Sequence, residues 1–118
     1  MQKISNYNCR EVVRQMLEFN GSNLYARLHM PRPNNPVEPV HSYRYVVYSY
    51  GDHWPLFVAE WLAGSEPVWY ENEDRYSVTT SKHKSQAHPH RDTIKLNQSD
   101  MRRLAMFGIA GVVAGVRL

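Results

Sequence analysis

The segment from Tyr43 to Tyr50, YRYVVYSY, carries apolar or aromatic side chains at odd and even positions alike. A strand with one wet face alternates between apolar and polar residues. A strand without alternation is covered on both faces and sits inside its sheet. This segment therefore predicts a central strand, and the rest of the chain must supply its neighbours.

Those neighbours are legible on both sides. From Leu24 to Met30 the chain alternates, with Leu24, Ala26, Leu28 and Met30 facing one way and Tyr25, Arg27 and His29 the other. That is the pattern of a half-buried strand. After a Gly51-Asp52 turn, PLFVAEWL (55–62) reads as a third strand, and after Gly64-Ser65 the short run Val68-Trp69-Tyr70 reads as a fourth. Strands following one another at such short intervals predict an antiparallel meander of three to five strands.

Helices are expected at both ends of the chain. Asn8 followed by Glu11 has the spacing of a capping box. Val12, Val13, Met16, Leu17 and Phe19 then continue a helical stripe to Asn20-Gly21. A final helix is expected from near Ser99, packing through Leu104, Phe107, Gly108, Gly111 and Val112. Between the fourth strand and that helix, YSVTTSKHKSQA (76–87) predicts a short helical turn capped by Thr79 or Thr80, stopped at His88-Pro89. Residues 31–42 hold four of the seven prolines and predict an exposed loop. The fold class is thus α+β: a small antiparallel sheet with an N-terminal and a C-terminal helix.

A chain of 118 residues with 42% hydrophobic and 21% charged residues suits one core, so residues 1–118 are expected to form a single domain. Cys9 is the only cysteine, which excludes an intrachain disulfide and favours a reducing compartment. The N-terminus lacks the apolar core of a signal peptide, and the run Leu104 to Val116 is too short to span a bilayer. A cytoplasmic location without membrane contact is expected, in a host cell if the chain is phage-encoded.

A formal charge of +3 does not single out a nucleic-acid binder. Its distribution is more informative. Glu60, Glu66, Glu71, Glu73 and Asp74 form an acidic stretch free of Lys and Arg, and Arg75, Lys82, Lys84 and Arg91 form a basic stretch free of acids. His83, His88 and His90 lie close together, but zinc needs further ligands and the cysteine is distant. No metal or cofactor site is expected. Asp52-His53 and the acids near 71–74 match no catalytic motif, so no catalytic residue is assigned and the protein reads as non-enzymatic.

Two binding surfaces can be drawn. Ten of the fourteen aromatic residues lie between Tyr43 and Tyr76. They are good strand formers, yet a small sheet with one helical face cannot hide them all. Tyr and Trp surplus to a core are what protein interfaces use. The candidate partner-binding residues are therefore Trp54, Trp69 and Tyr70, flanked by Glu71, Glu73 and Asp74. The alternative is an anion or nucleic-acid surface on Thr80, Ser81, Lys82, Lys84 and Arg91, where hydroxyls and cations meet at a helix start.

YVVYSYGDHWPLFV (45–58) and DRYSVTTSKHKSQ (74–86) together resemble a family of short uncharacterised proteins from phages, plasmids and bacteria. The shared pattern is an aromatic strand ending in Ser-Tyr-Gly, then a Pro, and later Tyr-Ser-x-Thr-Thr-Ser-Lys-His. The match lies within residues 45–86, about a third of the chain, and is most specific at residues 76–83. The resemblance implies a mobile-element origin and no particular chemistry. The expected function is a non-enzymatic interaction protein that binds and modulates a host protein or complex, an inhibitor of host defence being one version. A small nucleic-acid-binding accessory protein is the alternative.

Overall fold

The computed structural model describes residues 2–30, 42–74, 78–115 and 117, and only the backbone of residues 78–81. The expected loop at 31–42 lies outside the described residues apart from Ser42, as do Arg75, Tyr76 and Ser77.

Among the described residues, seven strands form one mixed sheet, in the order of the chain. They are β1 (Gln2–Lys3), β2 (Phe19–Asn20), β3 (Leu24–His29), β4 (Tyr43–Ser49), β5 (Pro55–Trp61), β6 (Val68–Asn72) and β7 (Thr93–Leu96). Neighbours from β2 to β6 pair antiparallel, whereas β1 runs parallel to β2 and β7 parallel to β6. The expected three-to-five-stranded antiparallel meander is therefore corrected to a seven-stranded mixed sheet. The reason is the connections. A parallel neighbour requires a crossover rather than a hairpin. Helix α1 (Arg10–Arg14) carries β1 over to β2, and α2 (Val78–Ala87) carries β6 over to β7. Helix α2 is a full third helix where only a short turn was expected.

The N-terminal helix is also shorter than its apolar stripe predicts. A single 3-10 turn at Asn6–Asn8 precedes it, Cys9 rather than Asn8 is the capping residue, and no side chain closes the cap. Met16 takes a positive φ of 54°, which ends the helical path. Phe19, the last residue of the stripe, then lies in β2. Helix α3 (Gln98–Ala114) is capped by Asn97, whose side chain accepts from the Asp100 N–H at 2.8 Å, and not by Ser99.

The central position of β4 follows from its two faces. Tyr45 and Val47 join Cys9, Val13, Phe19, Phe57, Trp69 and Ala87 in the core beneath α1 and α2. Val46 and Tyr48 join Val58, Tyr70, Met101, Leu104 and Ala105 in the core beneath α3. Each fully buried apolar side chain of this size contributes about 2 kcal/mol. Covering both faces explains why a run with no alternation forms a stable strand. It also hides half of the ten aromatic residues between Tyr43 and Tyr76: Tyr45, Tyr48, Phe57, Trp69 and Tyr70 are all buried.

Candidate functional site

The two segments of the Ser-Tyr-Gly and Thr-Thr-Ser-Lys-His pattern meet in space. Ser49 ends β4 and His83 projects from α2, and the Ser49 Oγ lies 2.7 Å from His83 Nδ1. Both are buried, at 1% and 3% exposure. Asn6 approaches from the other side. Its Nδ2 donates to the Ser22 carbonyl at 2.6 Å and stands 3.5 Å from His83 Nε2. The first bond sets the amide orientation, so Nε2 faces a donor. We assign the ring proton to Nδ1, with the Ser49 oxygen accepting it. General-base activation of a serine requires the reverse, a histidine lone pair facing the hydroxyl. This pair therefore joins α2 to the sheet.

Tyr50 and Gly51 complete that end of the strand. Tyr50 has a φ of 65°, its N–H donates to the Asn23 carbonyl at 2.8 Å, and its ring lies 5.4 Å from that of His83. Burial, followed by the charge of Lys82, holds the His83 pKa below the ordinary 6.5.

Further along α2, Glu71 of β6 gathers three partners. Its Oε2 lies 3.4 Å from Lys84 Nζ, its Oε1 lies 3.3 Å from His88 Nε2, and Oε1 accepts from the Thr93 hydroxyl at 3.0 Å. Lys84 also donates to the Asn72 carbonyl at 2.6 Å. Burial pushes the Glu71 pKa up, but the Thr93 hydroxyl and the Lys84 charge outweigh it, and the carboxyl stands below 4.5. The His90 N–H donates to His88 Nδ1 at 3.0 Å, which leaves His88 Nε2 as the donor toward Glu71. Among the described residues no group of three or more His, Cys, Asp or Glu side chains could hold a metal ion.

The opposite face has a different feature. Helix α3 is broken at Gly108, whose φ of 75° and ψ of −179° are not helical. The sheet supplies what the break removes. Arg44 donates to the carbonyls of Leu104 and Ala105. Glu60 Oε2 accepts the Ile109 N–H at 2.9 Å and the Ser42 hydroxyl at 2.8 Å. Arg44 and Glu60 are direct cross-strand neighbours on β4 and β5, so one rung of the sheet braces both sides of the break. A side chain at Gly108 would run into the Glu60 carboxylate.

Beside the break lies a groove of about 380 Å³, lined mainly by Trp61, Leu62, Val68, Phe107 and Ile109. Among the described residues its charged lining residues are Glu60 and Glu66. Leu62 and Val68 are exposed at its edge, and Met106, Ile109 and Val113 continue the exposed apolar surface along α3.

The residues singled out from the sequence fall apart spatially. Trp69, Tyr70 and Glu71 are buried within the sheet and offer a partner no surface, because both faces of β6 are covered. Trp54 is half-buried against the α1/α2 core. Glu73 and Asp74 are exposed, and Asp74 accepts the Gln98 N–H at 2.8 Å at the start of α3. Lys84 is taken up by Glu71, whereas Lys82 and Arg91 are exposed. Thr80 and Ser81 have backbone in α2 and side chains outside the described residues, as has Thr79. The groove went unnoticed in the sequence. Its one signal was Gly108 inside an otherwise apolar helix.

No helix among the described residues is long and apolar enough to cross a membrane. The chain matches no family model, no curated protein and no solved structure.

Proposed function

We propose that this chain is a non-enzymatic interaction protein that docks on a protein partner through the groove beside the α3 break. One observation carries the reading: a concave apolar surface and a run of exposed apolar side chains adjoin each other on α3, while the buried histidine and acid clusters are satisfied internally. Exposed apolar surface of this kind marks interaction sites. The partner that fits is a segment with an apolar anchor followed by a basic residue, since the groove's described charged lining residues are both acidic. A host protein or complex, met by a phage or mobile-element product, is the setting the sequence pattern suggests.

A second reading has its own observation. Tyr7 is exposed beside Arg10, in a shallow site that also includes Ser85 and Gln86. Lys82 is exposed on α2, and an aromatic ring next to cations can stack a base and hold its phosphate.

Capture from bacterial host lysate separates the two. The wild-type chain, a Leu62→Asp/Ile109→Asp variant and a Tyr7→Ala/Lys82→Glu variant are compared with and without nuclease. The docking reading expects a protein retained after nuclease treatment and lost from the groove variant alone. Retention by the groove variant, with loss from the Tyr7/Lys82 variant and on nuclease treatment, transfers the function to nucleic acid.

A further inference from the structure

We infer that this chain pairs with a second copy of itself along the outer edge of β7. Among the described residues this strand closes one side of the sheet and is hydrogen-bonded to β6 alone. The Leu96 carbonyl accepts the Glu73 N–H at 2.8 Å, so Leu96 turns its backbone groups toward β6. Backbone direction alternates along a strand. Ile94 therefore also faces β6, and the N–H and C=O groups of Thr93 and Lys95 point outward. An edge with outward donors and acceptors is a template for a further strand. Ile94, at its centre, is 51% exposed.

The charge pattern selects the occupant and the register. An antiparallel copy can use the outward groups of Thr93 and Lys95 in three ways. A two-fold axis at Thr93 sets Lys95 opposite the partner's Arg91, and one at Lys95 sets Lys95 opposite the partner's Lys95. Like charges directly opposed destabilise a strand pair. A two-fold axis at Ile94 sets Lys95 opposite the partner's Thr93 and no like charges face each other. All the outward groups of both strands are then bonded. Ile94 meets the partner's Ile94 in the close, non-hydrogen-bonded position, which covers the exposed side chain. The axis runs perpendicular to the sheet, so both α3 helices lie on the same side of one continuous sheet. The pairing does not depend on what the α3 groove binds.

Sedimentation equilibrium from micromolar to millimolar concentration tests this. The expected mass rises toward twice the 13.8 kDa of the chain. Ile94→Asp and Lys95→Pro should each weaken the association at least tenfold with the fold intact by circular dichroism. The Lys95 N–H makes no bond to β6, so proline there removes only an outward donor. Should either variant fold poorly, Ile94→Cys gives an independent readout. The close pairing brings the two thiols within disulfide reach, so mild oxidation should link the chains covalently, while a Lys3→Cys control at the other edge stays unlinked. A wild-type chain that remains monomeric at millimolar concentration overturns the inference. So does a dimer that survives both edge variants and disappears on Ile109→Asp/Val113→Asp.

Discussion

Beneath α1 and α2 the sheet presents Ser49, Glu71 and Thr93 among its apolar residues, and each is bonded to a neighbour. Beneath α3 it presents Val46, Tyr48, Val58 and Tyr70, with Arg44 and Glu60 bracing the helix break. The first face uses polar contacts to hold α2, whose described side chains contribute Ala87 alone to the apolar core. The second holds its helix by apolar packing and leaves apolar surface over. Histidines and charged groups are thus held in internal contacts on one face, and the surface proposed for docking lies on the other.

The sharpest break in this contrast should come from Glu71. Glu71→Ala leaves Lys84 without its carboxylate at a largely buried position, and removing one member of such a pair costs about 3 kcal/mol. Glu66→Ala, at an exposed position beside the groove, should stay within about 0.5 kcal/mol. Urea denaturation of the two variants measures both. Equal effects would show that the α2 face is no more dependent on its charges than the open face.

Next in size is Gly108→Ala. The backbone there lies in a region that side chains avoid, and the added methyl meets the Glu60 carboxylate. A loss of about 2 kcal/mol is expected, read as a lowered thermal midpoint. If the variant is as stable as wild type, the helix has closed its break and the Arg44–Glu60 brace is dispensable.

What the sequence revealed follows the range of the interactions involved. Strand β3 is marked by local alternation, β4 and β5 by apolar runs, and β5 and β6 are set off by Gly51 and Gly64; each of β3 to β6 is found within two residues of its expected ends. Strands β1, β2 and β7 are invisible locally. Two of them have two residues each, too few to show a period, and Thr93–Leu96 is paired through a crossover rather than a turn. The sequence places Trp69 and Tyr70 at an exposed turn, whereas Trp69 lies in the core that includes Val13 of α1 and Tyr70 in the core beneath α3, because helices cover both faces of the sheet. The Ser49–His83 contact joins residues 34 apart and had no signature beyond the pattern shared by the two segments.

That contact supplies the third prediction. His83→Gln should cost about 1 kcal/mol near neutral pH through the altered bond to Ser49. Its clearer mark is on pH dependence. The folded-state pKa of His83 lies below 6.5, so below that pH the unfolded chain binds a proton that the folded chain resists. Stability from this group is complete above pH 6.5 and falls as the pH drops through and below that value. Glu71, also held down, adds its own loss only below pH 4.5. Wild type should therefore weaken between these two values and His83→Gln should weaken less. Parallel pH profiles would mean that His83 is freely protonated in the folded chain.

The smallest expected change completes the contrast. Val113 is 84% exposed near the end of α3, on the apolar surface that continues from the groove. An exposed apolar side chain with no described core contact gains little from folding. Val113→Ser should alter stability by less than about 0.5 kcal/mol, serine and valine being close in helix propensity. The same substitution on the first face, Val13→Ser, removes a fully buried side chain and places a hydroxyl in the α1/α2 core, and should cost at least about 2 kcal/mol. Chemical denaturation of the pair, at one protein concentration low enough to exclude association, gives the comparison. A loss above about 1 kcal/mol at Val113 would mean that this end of α3 packs within its own molecule. The surface proposed for docking would then already be occupied, and the groove would have to bind its partner through Leu62 and Val68 alone.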